Sequence, residues 1–148
     1  MEIQQDFRDL LHLFNEQKVK YLVVGGYALA FHGAPRFTGD IDIWVRTSSE
    51  NADKIINALN EFGFGALGIT KQDLTQDDQV LQLGYPPIRI DIMTSIDGVD
   101  FDEAFNNSLL TSYGDIKIKI ISKDDFIKNK RATGRYKDLA DIEALGEL

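Results

Sequence analysis

The spacing of hydrophobic residues changes along the chain between the period of a helix and the short runs of a strand, and these changes predict where helices and strands lie. Apolar residues at helical spacing indicate amphipathic helices, and short apolar runs bounded by Gly, Pro or Asp indicate strands. Helices are predicted at residues 3–18, 27–33, 50–63, 100–107, 122–133 and 137–145. Strands are predicted at residues 21–26, 41–45, 79–85 and 88–94, with a hairpin in residues 108–121 that turns at Gly114 and Asp115.

This order of elements predicts a single mixed α/β (α+β) domain over residues 1–148, in which helices cover a small mixed sheet. The hydrophobic content of 43% is sufficient for a core in a chain of this length. Ser48 or Ser49 is expected to cap the helix over residues 50–63, and Gly63 to end it.

The predicted strand within residues 37–45, FTGDIDIWV, has an unusual polar face. Ile41 and Ile43 point to one face, as expected for a core strand, while Asp40 and Asp42 point to the other. Aspartate is depleted in strands, so two on the same face require an explanation.

Residues 89–93, RIDIM, repeat this pattern with Asp91 between two isoleucines. If the two strands are neighbours, facing Cβ atoms lie about 4.5–5.5 Å apart, and the carboxylates of Asp40, Asp42 and Asp91 converge. Such acids repel one another unless a cation neutralises them, and Mg²⁺ or Mn²⁺ is the expected occupant. The alternative is that the three acids lie on a solvated outer face of the sheet.

A pair of glycines, Gly25 and Gly26, stands between a predicted strand and a predicted helix. Glycine at this place allows a phosphate to approach the backbone, next to the free N–H groups of a helix start. Many strand–helix turns contain glycine, so the pair is informative only together with the acids that follow it.

Two other patterns are expected to be structural. GFGALG at residues 63–68 matches G-x-G-x-x-G, but a predicted helix precedes it, whereas the nucleotide-binding pattern requires a strand there. The histidines, His12 and His32, are not at ligand spacing and no cysteine accompanies them, so a structural zinc site is not expected. His32 could either face a pocket or pack in the core.

The charge is distributed unevenly. The net charge of −8 argues against a broad nucleic-acid-binding surface. Residues 117–137 nevertheless hold eight of the 16 basic residues and two of the 24 acids, so that this segment is +6 and the remainder −14. A basic patch on an acidic body suits a small polyanion, although a solvated helix face would have the same composition.

Nothing in the sequence indicates a membrane or secreted protein. No run of about 18 apolar residues occurs, and the acidic, amphipathic start is unlike a secretory signal. The absence of cysteine excludes disulfides and is compatible with a reducing compartment. A cytoplasmic location is therefore expected.

Residues 23–45, VVGGYALAFHGAPRFTGDIDIWV, resemble the signature of the polymerase-β-like nucleotidyltransferase superfamily. In that signature a hydrophobic residue and Gly-Gly or Gly-Ser precede Asp-hydrophobic-Asp-hydrophobic by about ten residues. The resemblance implies a nucleotidyltransferase-like fold in which Asp40 and Asp42 bind divalent metal ions. Asp91 matches the third acid of the site, and the glycine pair would contact the triphosphate.

The residues before Asp40 and residues 130–145, KRATGRYKDLADIEAL, more specifically resemble AbiEii-type toxins and related small nucleotidyltransferases. In those relatives a Lys on the penultimate helix and a Lys-Asp at the start of the last helix belong to the active-site region. Asp138 would either orient a basic side chain or act as a helix-start acid. The resemblance places Arg36, Thr38, Lys130, Lys137 and Asp138 in the nucleotide-binding region. Lys130, Arg135 and Arg36 could supply the positive charge that a triphosphate needs, since arginine binds phosphate oxygens in a fork.

The sequence thus supports hypotheses from different classes. The first is a Mg²⁺-dependent nucleotidyltransferase, toxin-like in its relationships, that moves NMP from an NTP to a hydroxyl of tRNA, a protein or a small molecule. The second is a non-catalytic nucleotide-binding or antitoxin-like partner with the same fold, and the third is an acidic cation binder. A homo-oligomer and an antitoxin partner both remain open, as does the base preference.

Overall fold

The structure is a computed structural model, and it describes residues 3–34, 39–63, 68–85 and 88–146. Within these ranges the helices are α1 (Gln5–Glu16), α2 (Gly25–Phe31), α3 (Ser49–Phe62), α4 (Lys71–Thr75), α5 (Phe101–Asn106), α6 (Lys123–Thr133) and α7 (Tyr136–Ala144). The strands are β1 (Tyr21–Val24), β2 (Asp40–Val45), β3 (Val80–Tyr85), β4 (Ile88–Met93), β5 (Leu109–Tyr113) and β6 (Ile116–Ile120).

The described strands form one six-stranded sheet in the order β3-β4-β2-β1-β6-β5. The pairs β2–β4 and β1–β6 are parallel, whereas β1–β2, β3–β4 and β5–β6 are antiparallel. The predicted α/β class is therefore confirmed. The structure also makes β2 and β4 direct neighbours, which was the condition for the three acids to converge.

Helices pack on both faces of this sheet. On one face the two isoleucines of β2 are fully buried, and each contributes about 1.5–3 kcal/mol by leaving water. Phe14 of α1 packs on this face against Tyr21, with the ring centroids 5.8 Å apart. Tyr21 lies on the isoleucine face because its partner in the strand pair is Val45. On the opposite face Trp44 meets Phe101 of α5 edge-on at 4.9 Å. Because side chains alternate, the aspartates of β2 share the Trp44 face.

Local capping accounts for where the helices begin and end. The Ser48 hydroxyl accepts a hydrogen bond from the Asn51 backbone N–H at 3.1 Å, so Ser48 rather than Ser49 caps α3. Gly63 ends the same helix in the left-handed conformation, with φ of 101°, as predicted. Ser122 caps α6 by accepting from the Asp125 N–H at 3.1 Å.

Two features of the described elements differ from the sequence prediction. Helix α2 begins at Gly25, so the glycine pair forms the first residues of the helix instead of preceding it. Helix α4 was not predicted; a capping box between Thr70 and Asp73 starts this single short turn. Most of the G-x-G-x-x-G pattern, residues 64–67, lies outside the described residues, and Gly63 is a helix stop.

The histidines make structural contacts. The His32 ring nitrogen lies 2.7 Å from the Ile121 carbonyl oxygen, and its ring packs 6.4 Å from Phe126. His12 lies 3.6 Å from Glu16, one turn further along α1. The contacts of His32 favour packing over a ligand-binding role, whereas His12 lies partly exposed on the flank of α1.

The exposed apolar side chains include Val80 on edge strand β3 and Leu110 on edge strand β5. Single exposed side chains of this kind are ordinary on a protein surface. Within the described ranges, no helix combines the length and the apolar character that crossing a bilayer requires.

Candidate active site

The acids of β2 and β4 lie side by side across the parallel strand pair. The register places Asp42 opposite Asp91 and Asp40 opposite Arg89. All four side chains therefore share one face of the sheet, with the two core isoleucines of β2 on the other. The predicted adjacency of the strands is confirmed, and it gathers the three acids named from the sequence.

Arg89 bridges two of these acids. Its Nε donates to Asp91 Oδ1 at 2.9 Å and its Nη2 to Asp91 Oδ2 at 3.1 Å, which is a forked contact. The same Nη2 donates to Asp40 Oδ2 at 3.0 Å. The hydrogen bonds and the charge of Asp91 keep the pKa of Arg89 above its usual range, so the guanidinium is permanently charged.

Gly25 is fitted closely against Asp42. It has a φ of 66°, and a Cβ at this position would overlap the Asp42 carboxylate. Val24, the preceding residue, pairs with Asp42 across β1 and β2. A side chain at position 25 would therefore both strain the backbone and displace an acid, which gives the first glycine of the pair a structural reason.

Asp42 is the acid of this cluster whose ionisation its surroundings disfavour. Burial, and then the neighbouring charges of Asp91 and Asp40, raise the pKa of Asp42 to about 6, although Lys130 and Arg89 act in the opposite direction. Three carboxylates with hard oxygen donors suit Mg²⁺ or Mn²⁺ in chemistry and in charge. In the conformation described, where Arg89 bridges two acids, no trio of acidic or histidine side chains among the described residues is arranged to hold a metal ion.

The raised pKa of Asp42 predicts a specific pH dependence of stability in the absence of metal. Because the folded-state pKa of about 6 exceeds the ordinary value of 3.8, Asp42 costs stability as pH rises from about 4 to about 6. Asp42→Asn removes this cost. We expect its free energy of unfolding relative to wild type to increase by about 2 kcal/mol between pH ~4.5 and pH ~8. Urea unfolding in EDTA measures this, and parallel pH curves for the two proteins would contradict it.

A second cluster surrounds Asp138 near the start of α7. This side chain is fully buried and accepts hydrogen bonds from Thr133 Oγ1 at 2.6 Å, Arg135 Nε at 2.8 Å and the Arg135 backbone N–H at 3.3 Å. Burial alone would raise the pKa of Asp138, but these bonds and the Lys130 charge hold it well below its usual range. Asp138 thus serves both as a helix-start acid and as an orienter of basic groups.

Lys130 connects this cluster to the acids. Its Nζ lies 3.4 Å from Asp138 Oδ1, 3.9 Å from Asp141 Oδ2 and 5.4 Å from the centre of the Phe126 ring. Its side chain is only 14% exposed, and its charge is close enough to lower the pKa of Asp42. An ammonium has three N–H donors, so one hydrogen bond to Asp138 leaves others for a ligand.

The family to which the chain belongs follows from its sequence as a whole. Residues 1–146 match the model of a family described as nucleotidyltransferase of unknown function (DUF6036). The chain belongs to this nucleotidyltransferase family. No protein of curated function matches its sequence.

Solved nucleotidyltransferase structures share the fold. One is a candidate nucleotidyltransferase from Thermotoga maritima, with a TM-score of 0.63 and 19% identity, over 93% of this chain and 88% of that one. Another is a lincosamide antibiotic adenylyltransferase, LnuA, solved with lincomycin bound. Its TM-score is 0.56 and its identity 19%, over 99% of this chain and 98% of that one. At these identities the likeness establishes the fold alone.

The remaining residues predicted for the nucleotidyltransferase site are distributed differently. Gly26 lies in the first turn of α2, directly after Gly25. Lys137 is exposed on the first turn of α7, and the described contacts do not join it to the Asp138 cluster. Arg36 and Thr38 lie outside the described residues. The binding roles of these positions stay predictions.

Two residues of this candidate site, Arg89 and Asp141, were missed in the sequence. Arg89 stands two positions before Asp91 in a strand, so alternation alone placed it on the face of the acids. Asp141 stands three positions after Asp138 in a helix and therefore shares its face. The spacing of both residues was visible in the sequence, but spacing alone does not show which charged side chains contact one another in the fold.

A cavity of about 590 Å³ lies at the carboxyl ends of β2 and β4, beyond the three acids. Its acidic lining residues are Asp77, Asp78, Asp97, Asp100 and Asp102. Several have structural partners: Asp102 pairs with Arg46 at 2.8 Å, and Asp78 accepts a hydrogen bond from Ser95 at 3.0 Å. The candidate nucleotidyltransferase site is therefore the acid-bearing face of the sheet, not this cavity.

Proposed function

We propose that this protein transfers NMP from an NTP to a hydroxyl group of an acceptor, and that the transfer depends on Mg²⁺ or Mn²⁺. The observation that carries the proposal is the alignment of Asp42 with Asp91 on paired strands, next to Asp40 and against Gly25. A protein that only binds nucleotide gains little from three acids that repel one another.

The metal would be held by Asp40, Asp42 and Asp91. When bound, it would activate the acceptor hydroxyl and stabilise the charge on the leaving pyrophosphate. The donor set supports this assignment, because carboxylate oxygens are the ligands that these ions prefer. The raised pKa of Asp42 supports it as well, since added positive charge would relieve that shift.

The protein's own residues would transfer the proton and bind the triphosphate. The acceptor oxygen attacks the α-phosphorus, the bond from that phosphorus to the pyrophosphate oxygen breaks, and a carboxylate such as Asp91 takes the hydroxyl proton. Lys130 and Arg135 would contact the triphosphate, with Arg36 and the Gly25–Gly26 turn as further contacts. Asp138 holds Lys130 and Arg135 in place.

The acceptor is left to experiment. The resemblance of residues 130–145 to AbiEii-type toxins is a reason to test tRNA and protein as acceptors, and a toxin–antitoxin role as well. The fold likeness to a lincosamide adenylyltransferase is a reason to test small alcohols. The acidic body of the protein favours a small acceptor over a long polyanion.

A label-transfer assay tests the proposed function. The full chain is incubated with Mg²⁺, an extract and each NTP, labelled either at the α- or at the γ-phosphate. We expect label from the α-position, but not from the γ-position, to enter a product whose size identifies the acceptor class, and we expect EDTA to prevent this.

Binding measurements with NTP and with Mn²⁺, made alongside this assay, distinguish the two other hypotheses. Nucleotide binding without transfer from any NTP would indicate a binding module. Mn²⁺ binding that is indifferent to NTP would indicate a plain cation binder. Transfer of γ-label would mean that the protein is a kinase, and the assignment of NMP transfer would then be wrong.

A further inference from the structure

The Arg89 guanidinium occupies carboxylate oxygens that a metal ion bound by the acids would need as ligands. Its fork uses both oxygens of Asp91, and its remaining hydrogen bond reaches Asp40. A metal ion requires oxygen lone pairs from the same carboxylates. The guanidinium and the metal are both positive, so their simultaneous presence among these oxygens is also unfavourable electrostatically.

We infer that Arg89 is an internal counter-ion that competes with the divalent cation for Asp40 and Asp91, so that metal binding requires the guanidinium to leave the acid cluster. The inference rests on the proposed function, because it concerns the same metal site. It adds a residue that sets the metal affinity and that contacts the acids only in the metal-free state.

The competition has opposite effects on two measurable quantities. Without metal, Arg89 offsets one of three mutually repelling charges and stabilises the folded chain. With metal, the same contacts have to be broken, and they lower the affinity. A residue whose ion pair were purely structural would stabilise the fold without changing metal affinity.

The chain contains a matched control for such a structural pair. Arg8 makes the same forked contact with one carboxylate, through Nε at 2.8 Å and Nη2 at 2.7 Å to Asp115. The exposed fractions of the two arginine side chains are similar, 22% for Arg8 and 26% for Arg89. The Arg8 pair joins α1 to the turn between β5 and β6, away from the acids.

The inference is tested by titrating the full chain with Mn²⁺ in a calorimeter, without nucleotide. We expect Arg89→Gln to bind Mn²⁺ at least about tenfold more tightly than wild type, because the competing charge-assisted hydrogen bonds are gone. Arg89→Lys, which keeps the charge but loses the fork, should fall between them. In EDTA the Tm of Arg89→Gln should be below that of wild type, and Mn²⁺ should raise it more.

Two controls locate the effect. Arg8→Gln should leave the Mn²⁺ affinity unchanged, because its carboxylate partner is not a proposed metal ligand. Adding Asp91→Asn to Arg89→Gln should abolish the gain, because the tighter binding requires the released carboxylate.

Unchanged or weaker Mn²⁺ binding in both Arg89 variants would overturn the inference. If Arg89→Gln fails to fold, Arg89→Lys decides the outcome, since it retains a cation among the acids. Transfer activity combined with unchanged Mn²⁺ affinities would reject this inference alone. Tighter Mn²⁺ binding without any transfer would instead reject only the proposed function.

Discussion

Asp42→Asn is expected to lower nucleotidyl transfer by at least about 10³-fold while the protein stays folded. Asp42 lies opposite Asp91 and against Gly25, at the centre of the acid cluster. The amide is nearly isosteric, but it loses the charge that would hold a metal ion. Single-turnover rates with the NTP and acceptor identified by label transfer measure the loss.

The fold should survive this substitution because Asp42 is itself electrostatically unfavourable. Its pKa is raised to about 6, so at neutral pH the folded protein holds a carboxylate that burial and its neighbours disfavour. Asp53→Asn is the control. Asp53 is an exposed acid on α3 that pairs with Lys71 at 3.1 Å, and its substitution should leave the transfer rate unchanged. Wild-type activity in a folded Asp42→Asn protein would refute the site assignment.

Asp138→Ala is expected to lower the free energy of unfolding by about 2–4 kcal/mol, since it removes the acceptor from a buried charge network. The Thr133 hydroxyl and the Arg135 backbone N–H lose their partner, and Lys130 loses its nearest counter-charge. The pKa of Asp138 is held below the ordinary value of 3.8, so its contribution is fully present above that pH and is lost as pH falls further. Urea unfolding at neutral pH measures the change.

Two variants separate the network from simple helix capping. Asp100→Ala removes an exposed cap, whose oxygen accepts from the Glu103 N–H at 3.1 Å, and should cost only about 1 kcal/mol. Asp138→Asn keeps the size and one acceptor oxygen but loses the charge, so it should lie between wild type and Asp138→Ala. Equal costs for Asp100→Ala and Asp138→Ala would contradict the network.

Most of the elements could be predicted from the sequence because their signals are local. The caps at Ser48 and Gly63 depend on the backbone geometry of one helix end, and the β5–β6 hairpin depends on a short turn. Helix α4 escaped prediction because a helix of five residues has no measurable hydrophobic period. The start of α2 was misplaced because glycine usually interrupts helices.

The candidate site could be predicted only in part. The side chains of Asp40 and Asp42 share a face because strand residues alternate, which no packing detail can change. Their relation to Asp91 depended on a pairing between strands that are far apart in the sequence. Lys130 and Asp138 were named through a family resemblance, and their mutual contact at 3.4 Å is a result of helix packing.

The sequence by itself determined the periodic elements and the alternation that separates the isoleucines of β2 from its aspartates, because both depend on neighbouring residues alone. The tertiary structure decided that β4 lies parallel to β2 with Asp91 opposite Asp42. It also decided that Arg89 bridges two of the acids. Register and ion pairing depend on how distant segments pack, and a one-residue slip of β4 would have turned Asp91 and Arg89 to the other face.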